Sequence, residues 1–423
     1  MNDPRRDLFR NANFRWLIGG GLLSMLGDQF TLLALPWLVM SLTRDPLVLG
    51  TVLALGSLPR ALFILVGGAL VDRHSPKAVL LLTKWINFAL LGLLAALTAT
   101  GHITLPGVYA LTLAIGLATA FSYPAGSAIL PQAVPAALIQ PANGVLMGAR
   151  QLVLLLGPVL AGVLVSGGGD PGLSGHGLAL AFGLDAVSFA VSAWTLGRVQ
   201  ATPAEPRAPQ PMGAAIAESL RSCWQDRELR ALFLYFSAIA FFVGGPIQVA
   251  LPVLAAERLP GGAAALGVML AVHGLGALAG MAISGLRPRW RLSTLGGTVL
   301  LIDTTAALVF LAFGHVHETW QGAALLLPLG ALGGFVQVAV YSWLQRRIPP
   351  EMLGRSMALF MFIVMGLAPL ASAAAGAALR VLDVTQLFTG AALCLLVVVV
   401  IGALCTPIRR IAYLEASPTP GTA

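Results

Sequence analysis

The sequence predicts an all-α membrane protein in which twelve transmembrane helices form two six-helix bundles. The prediction depends on scarce charge, long apolar runs and a weak similarity between the two halves of the chain. Of the 423 residues, 57% are hydrophobic and 10% are charged, whereas a soluble domain carries about 25% charged residues. A surface with so little charge suits lipid better than water.

The apolar runs are long enough to cross a bilayer, which takes roughly 20 residues. Twelve runs, numbered spans 1 to 12, follow one another at residues 14–41, 46–71, 78–100, 105–130, 143–167, 178–197, 231–254, 264–286, 293–314, 321–345, 354–379 and 386–406. The first run is too long for the core of a cleaved signal peptide. It is therefore interpreted as an uncleaved first span.

The distribution of basic residues predicts that both termini are cytoplasmic. Of the 25 Lys and Arg residues, only Arg44, Arg258 and Arg380 fall on the opposite side, and Arg60 and Arg150 lie within spans. All the others, including a lysine early in span 3, are assigned to the cytoplasmic side, which is a strong positive-inside bias. Because these charges are dispersed, the net charge of +8 does not indicate a nucleic-acid partner.

A long polar stretch in the middle of the chain separates the two sets of six spans. The predicted divisions are an N-terminal six-helix bundle, a cytoplasmic linker, a C-terminal six-helix bundle and a cytoplasmic tail, at residues 1–197, 198–230, 231–406 and 407–423. Residues 49–70 align weakly with residues 266–286, with Gly50 opposite Gly267. Two parallel six-span repeats are typical of transporters that bind substrate between the halves.

The segment GGALVDRHSPK at 67–77 resembles the loop between spans 2 and 3 of major facilitator superfamily transporters, although its last residues before Lys77 depart from the pattern. The resemblance implies the major facilitator fold and a cytoplasmic latch between the halves. In that latch the aspartate would face the positive N-terminal end of span 11. The expected latch residues are Gly68, Asp72, Arg73, Lys77, Gly354 and Arg355.

A second segment, LLLGPVLAG at 154–162, resembles an element of exporters in the same superfamily. Its residues Gly157, Pro158 and Gly162 would kink span 5 and allow close packing; the alternative interpretation is a kinked, tightly packed helix with no link to export. Further segments along most of the chain resemble the drug-exporter-type branch, which includes macrolide efflux pumps and the enterobactin exporter.

Ionisable residues within spans need explaining, because a charge at the bilayer centre costs at least about 2.5–3.5 kcal/mol. Asp28 and Arg60 fall at similar depth in spans 1 and 2, and Arg150 lies in span 5; all three are expected as buried charges. Asp28 is predicted to carry a proton, tuned by Arg60, and the alternative is a static Asp–Arg pair. Asp185 and Asp303 are expected to be structural.

Cavity-side polar and aromatic residues are the candidates for gripping an amphipathic substrate, although packing is the alternative for each. They are Gln29, Tyr123, Gln248, His273, Gln337 and Tyr341.

The sequence contains no phosphate-binding loop, no zinc-protease motif and no nucleophile elbow, and its three cysteines lack metal-ligand spacing. We therefore expect neither an enzyme nor a bound cofactor or metal. The expected function is proton-coupled export of a hydrophobic or amphipathic small molecule by a monomer in the bacterial inner membrane. Lysophospholipid transport and nutrient uptake are the alternatives.

Overall fold

The computed structural model describes residues 4–73, 75–166, 174–201, 221, 223–286, 294–348, 356–357, 359–363 and 366–413. A short helix, α1 (Pro4–Arg10), precedes the spans. The helices that follow are α2 (Ala12–Thr43), α3 (Pro46–Arg73), α4 (Pro76–Ala99), α5 (Leu105–Ala133), α6 (Ala136–Val165), α7 (Ser174–Arg198), α8 (Arg227–Arg258), α9 (Gly262–Leu286), α10 (Leu295–Phe313), α11 (Thr319–Arg347), α12 (Leu359–Ala378) and α13 (Val384–Cys405).

Helices α2 to α13 correspond to spans 1 to 12, so the expected all-α twelve-span fold is confirmed. Within the described residues, eleven helices have the length and hydropathy to cross a membrane, and α3, at 28 residues, occupies the place of span 2. The largest boundary difference is at α6, which begins at Ala136 rather than near residue 143. Pro141 removes one backbone donor from this helix without ending it.

The helix α8 contains an irregular turn in the middle of its length. Residues Pro246–Ala250 form a π-helical turn between regular segments Arg227–Gly245 and Leu251–Arg258. Proline lacks the backbone N–H that would continue the regular ladder. At the same place Gly245 touches α12, where a Cβ atom would lie 2.5 Å from the Ala371 carbonyl oxygen.

The twelve helices form a closed ring built from two similar arcs. In the first half, neighbouring helices pack in the order α6, α2, α7, α4, α5, α3, and in the second half in the order α12, α8, α13, α10, α11, α9. Each helix in the second arc is the span six positions later than its counterpart in the first. The arcs meet where α6 packs on α9 and where α3 packs on α12, so that the ring surrounds a central axis.

The apolar core joins the two halves at one end of the ring. Its largest cluster combines Leu38 and Phe182 of the first half with Leu254, Phe310 and Phe388 of the second, all toward the end away from the chain termini. We call this the opposite end, and the other the terminal end. At the terminal end, the described residues form a separate cluster in each half.

Glycines bring the helix backbones of the two halves together at both seams. At the α3–α12 seam, a Cβ atom on Gly376 would lie 2.5 Å from the Pro46 carbonyl oxygen and 3.0 Å from the Gly50 Cα atom. At the α6–α9 seam, a Cβ atom on Gly162 would lie 2.9 Å from the Ala263 carbonyl oxygen. Any larger residue at these positions would force the helices apart.

An ion pair also crosses between the halves at the opposite end. Arg380 donates to Asp45 through Nη2 at 2.5 Å and through Nε at 3.3 Å. The Arg380 hydrogen bond holds the pKa of Asp45 below its ordinary value of 3.8. A depressed carboxyl pKa means that the pair is present above that ordinary value and is lost only as the pH falls through the lowered one. The pair therefore persists throughout pH 5–8.

Substituting Gly376 with valine should destabilise the closed opposite end. The added side chain has no space beside Pro46 and Gly50, and overpacking of this kind costs about 1–3 kcal/mol. We expect the free energy of unfolding in detergent to fall by that amount. Gly390→Val in α13 is the matched control, because nothing lies within 4 Å of its Cβ position; an equal loss in both variants would contradict the seam.

Substituting Asp45 with asparagine should loosen the opposite end without affecting its pH response. Spin labels on Leu42 and Leu382, both exposed near the pair, report the separation of the halves. We expect a longer-distance population in Asp45→Asn and its reversal in the charge swap Asp45→Arg/Arg380→Asp. When Asp28, the predicted proton carrier, is held neutral as Asp28→Asn, the distance should not change between pH 8 and pH 5. A change in that range would contradict the persistence of the pair.

Candidate functional site

An exposed carboxylate, Asp28, lies midway along α2, between the sides of the helix that contact α7 and α6. On one side of the helix, Gly27 meets α7; on the other, Gln29 meets α6 at Gly157. With 3.6 residues per turn, Asp28 and Leu32 share the face between these contacts. Both side chains are exposed there.

A lysine from another helix lies close to this carboxylate. Lys84 of α4 extends across α7 toward α2, where its Nζ atom lies 3.4 Å from the Ser24 Oγ atom. The same ammonium group lies 5.3 Å from the centroid of the Phe189 ring. Asp28 and Asp185 both lie within electrostatic range of Lys84. The described structure thus brings together one lysine and two carboxylates, which we call the carboxylate–lysine cluster.

The second carboxylate of the cluster is sealed inside the protein. Asp185 of α7 is 1% exposed and accepts hydrogen bonds from Thr31 and from Ser188, the latter at 3.3 Å. Gly27 of α2 makes this packing possible, because a Cβ atom there would collide with both Asp185 and Ser188. The expected hydrogen bonding of Asp185 to a neighbouring helix is confirmed, but its proximity to Lys84 was not anticipated.

The predicted buried charges need two corrections. Asp28 and Arg150 are exposed rather than buried. The Arg60 side chain lies outside the described residues, so its expected pairing with Asp28 stays a prediction. Lys84, counted in the sequence only as a cytoplasmic-side charge early in span 3, is the ninth residue of α4 (Pro76–Ala99). The sequence signal for its neighbours is the pair of polar residues beside it, Thr83 and Asn87, which occupy the buried face of that helix.

The second half has a counterpart without a basic residue at the equivalent place. Asp303 is the ninth residue of α10, as Lys84 is of α4, and its carboxylate accepts a hydrogen bond of 2.7 Å from the Tyr235 hydroxyl of α8. Tyr235 packs against Gly402 of α13. The expected structural hydrogen bond of Asp303 is confirmed, and equivalent helices in both halves hold polar groups behind the ring interior.

The export-type motif lies where the two halves and α2 converge. Gly157 receives the side chain of Gln29, the Pro158 carbonyl group faces Gly267 of α9, and Gly162 packs on the start of α9. The motif therefore supplies close contacts at the α6–α9 seam. It also brings one candidate substrate residue, Gln29, next to that seam.

The other candidate substrate residues are distributed around the ring. Gln248 of α8 accepts a hydrogen bond of 3.0 Å from Ser372, and the Tyr341 hydroxyl of α11 donates to the Met361 sulfur at 2.8 Å. His273 is half-buried and Gln337 is exposed. The side chain of Tyr123 lies outside the described residues. Their substrate role stays a prediction.

The described part of the latch segment shows one contact within the first half. Lys77 donates to the carbonyl oxygens of Val199 at 2.7 Å and Gly197 at 3.0 Å, so it caps the end of α7. The side chains of the other candidates in α3, and the whole of the two at the start of span 11, lie outside the described residues: Gly68, Asp72, Arg73, Gly354 and Arg355. The latch therefore stays a prediction.

Substituting Gly157 with alanine should destabilise the protein through Gln29. The new methyl group would lie 2.8 Å from the Gln29 Cβ atom, which costs about 1–3 kcal/mol. Adding Gln29→Ala should restore most of the unfolding free energy, a coupling typical of residues in contact. Gly148→Ala on the same helix is the control, since its Cβ position is open. Additive effects of the two substitutions would contradict this contact.

Comparison with known structures identifies the fold. An auto-inhibited peptide transporter of the POT family superposes with a TM-score of 0.75 at 14% sequence identity, covering 97% of this chain and 99% of that one. A bacterial homologue of the iron transporter ferroportin, in its inward-facing state, superposes with a TM-score of 0.70 at 17% identity, covering 93% and 98%. At these identities the similarity concerns the fold alone.

Sequence comparison identifies the family. The enterobactin exporter EntS of Salmonella choleraesuis is 24% identical over 350 residues, covering 81% of this chain and 78% of that protein. The uncharacterised MFS-type transporter YkuC of Bacillus subtilis is 24% identical over 372 residues, covering 82% and 81%. The family model described as transmembrane secretion effector, MFS_3, matches residues 7–419. The chain therefore belongs to the transmembrane secretion effector family of major facilitator superfamily transporters, and it is a multi-pass membrane transporter rather than an enzyme.

Proposed function

We propose that this protein exports a hydrophobic or amphipathic small molecule by proton-coupled alternating access, with Asp28 as the group that binds the proton. The observation that carries the proposal is the position of Asp28: it is exposed and within electrostatic range of Lys84 and Asp185, and we infer that its face of α2 is turned to the interior of the ring. A carboxylate in this position can exchange protons with water that enters the ring, and its charge acts on groups in two other helices.

The ion pair at the opposite end supports the assignment of the proton response to Asp28, because it excludes Asp45 as the responding group. Asp45 keeps its charge through pH 5–8 because Arg380 holds its pKa low. A proton gradient near neutral pH therefore leaves this contact between the halves unchanged. The proton response is better assigned to the ring interior, where Asp28 is reachable from water.

The orientation follows from the basic residues. We infer that the terminal end is cytoplasmic, because the positive-inside rule accounts for the concentration of Lys and Arg there. The described conformation is then inward-facing. The joint apolar core at the opposite end and the separate clusters at the terminal end support this inference.

Export of an amphipathic molecule is favoured by two observations. The Gly157–Gly162 motif resembles that of exporters and lies at the seam between the halves. The enterobactin exporters, at 24–26% identity, are relatives whose printed function is export. Gln29, Gln248 and His273, on helices that contribute to the ring, offer polar contacts beside apolar surface. Such a mixture suits a substrate with both characters.

The test is ionophore-sensitive efflux of amphipathic dyes and drugs from cells that produce the protein. We expect Asp28→Asn to reduce efflux at least about tenfold, because the group can no longer alternate between charged and neutral forms, while the amount of protein in the membrane is unchanged. Asp383→Asn is the matched control: it makes the same change at the exposed N-terminus of α13, where asparagine also caps a helix well.

Two outcomes would contradict the proposal. Undiminished ionophore-sensitive efflux in Asp28→Asn would remove Asp28 as the proton carrier. If the unsubstituted protein moves no dye or drug but translocates lysophospholipid in the same vesicles, the substrate is a lipid.

A further inference from the structure

The carboxylate–lysine cluster contains a cation that proton binding at Asp28 alone does not explain. Burying an ammonium group is costly unless opposite charges compensate it. Lys84 is half-buried between α2, α4 and α7, with Ser24 and the Phe189 ring as its close contacts. Two carboxyl groups on two different helices lie within electrostatic range of it, Asp28 of α2 and Asp185 of α7. One cation is thus placed between two anions of unequal access to water.

We propose that Lys84 is the positioning residue of the proton site, and that its ion pairing moves from α2 to α7 when Asp28 is protonated. The inference rests on the proposed function, because it takes Asp28 as the group that exchanges the proton. Asp28 is exposed and Asp185 is sealed by Thr31, Ser188 and the close packing at Gly27. A proton from the ring interior therefore reaches Asp28 first.

Protonation of Asp28 changes which carboxylate attracts Lys84. With Asp28 charged, Lys84 is drawn toward both α2 and α7. When Asp28 takes up a proton it becomes neutral, and the full attraction of Lys84 falls on Asp185. Because α4 packs along α7 and reaches α2 only through this side chain and its neighbours, the shift loosens α2 while tightening α4 on α7. Release of the proton reverses the change.

The charged groups on the surrounding helices are few. Besides Lys84, α4 carries only Lys77, which caps the end of α7; α5 has no acidic or basic residue, and α6 has only Arg150, which is exposed. On α7, the remaining ionisable groups, His176 and Arg198, lie at its two ends. The helix α3 contributes Arg60, which the sequence places at a depth similar to that of Asp28, so Arg60 needs its own arm in the test.

The experiment measures the pH dependence of dye efflux from inverted vesicles. We expect Lys84→Gln to abolish concentrative efflux at pH 7 and to recover it at higher pH, because Asp28 then keeps its proton through neutral pH. Lys84→Arg, which keeps the charge, should retain at least about a third of the activity. Arg198→Gln, at the exposed end of α7, is the control and should remain within about twofold of the unsubstituted protein.

A second variant keeps the proposal testable if Lys84→Gln fails to reach the membrane. Asp185→Asn removes the alternative partner of Lys84 and leaves the lysine to Asp28 alone. We expect the pH of half-maximal efflux to move about one unit lower, which is the typical effect of an opposite charge on a carboxylate. Asp303→Asn removes a buried carboxylate that bonds to Tyr235 in the other half, and it should leave the pH profile in place.

The outcomes separate this inference from the proposed function. If Asp28→Asn abolishes ionophore-sensitive efflux but Asp185→Asn keeps the unsubstituted pH profile, Lys84 is a structural cation and the inference is wrong while the proposed function stands. If Arg60→Gln abolishes the pH response and Lys84→Gln preserves it, the counter-charge is Arg60 and the inference is again wrong. If the Asp28→Asn variant exports dye normally, Asp28 is not the proton carrier, and the inference about Lys84 is wrong together with that part of the proposed function.

Discussion

The close approach of helix backbones at glycine is the constraint on which the ring depends. In lipid, apolar side chains gain little by leaving the bilayer for another helix, so association relies on tight packing and on polar contacts between helices. The seams supply the packing through Gly50, Gly162, Gly267 and Gly376. Because these glycines lie where one half meets the other, the contacts that hold the protein together are also the contacts that must change during transport.

The two halves share one arrangement of helices but differ in the charge of their interiors. In both, the helix that lines the ring contacts a polar residue at the ninth position of a supporting helix: Ser24 contacts Lys84 in the first half, and Tyr235 contacts Asp303 in the second. The first site carries a lysine and two carboxylates, whereas the second is a carboxyl group with a tyrosine hydroxyl. At these two equivalent places, groups of opposite charge therefore meet only in the first half.

Much of the fold was predictable because transmembrane helices are defined by run length and hydropathy. The predicted helix boundaries differ most from the structure at α6 and α8, where prolines lie inside helices that continue past them. In lipid, a helix that ended at Pro141 would leave backbone groups without hydrogen-bond partners. The helix therefore continues through the proline. The glycine seams were visible in sequence as small residues, but their partners depend on how the two arcs meet.

The site was harder to predict because it depends on helix rotation. Counting residues placed Asp28 midway along its helix and suggested Arg60 of the adjacent span as its partner, a pairing that stays a prediction. The neighbours from α4 and α7 were missed, because they depend on the order of the arc, which brings α7 beside α2. Lys84 was counted only as a cytoplasmic-side charge in span 3, because the positive-inside rule counts charges near span ends and does not consider the direction of their side chains.

The unequal division of the apolar core gives the molecule a preferred resting shape. At the opposite end, one continuous cluster belongs to both halves, so separating the halves there wets apolar side chains at a cost of about 25 cal/mol for every Å² exposed. At the terminal end, the described clusters are already complete within each half. The contact between the halves at the opposite end therefore forms spontaneously. Substrate or proton binding has to supply the free energy that opens this contact in every transport cycle.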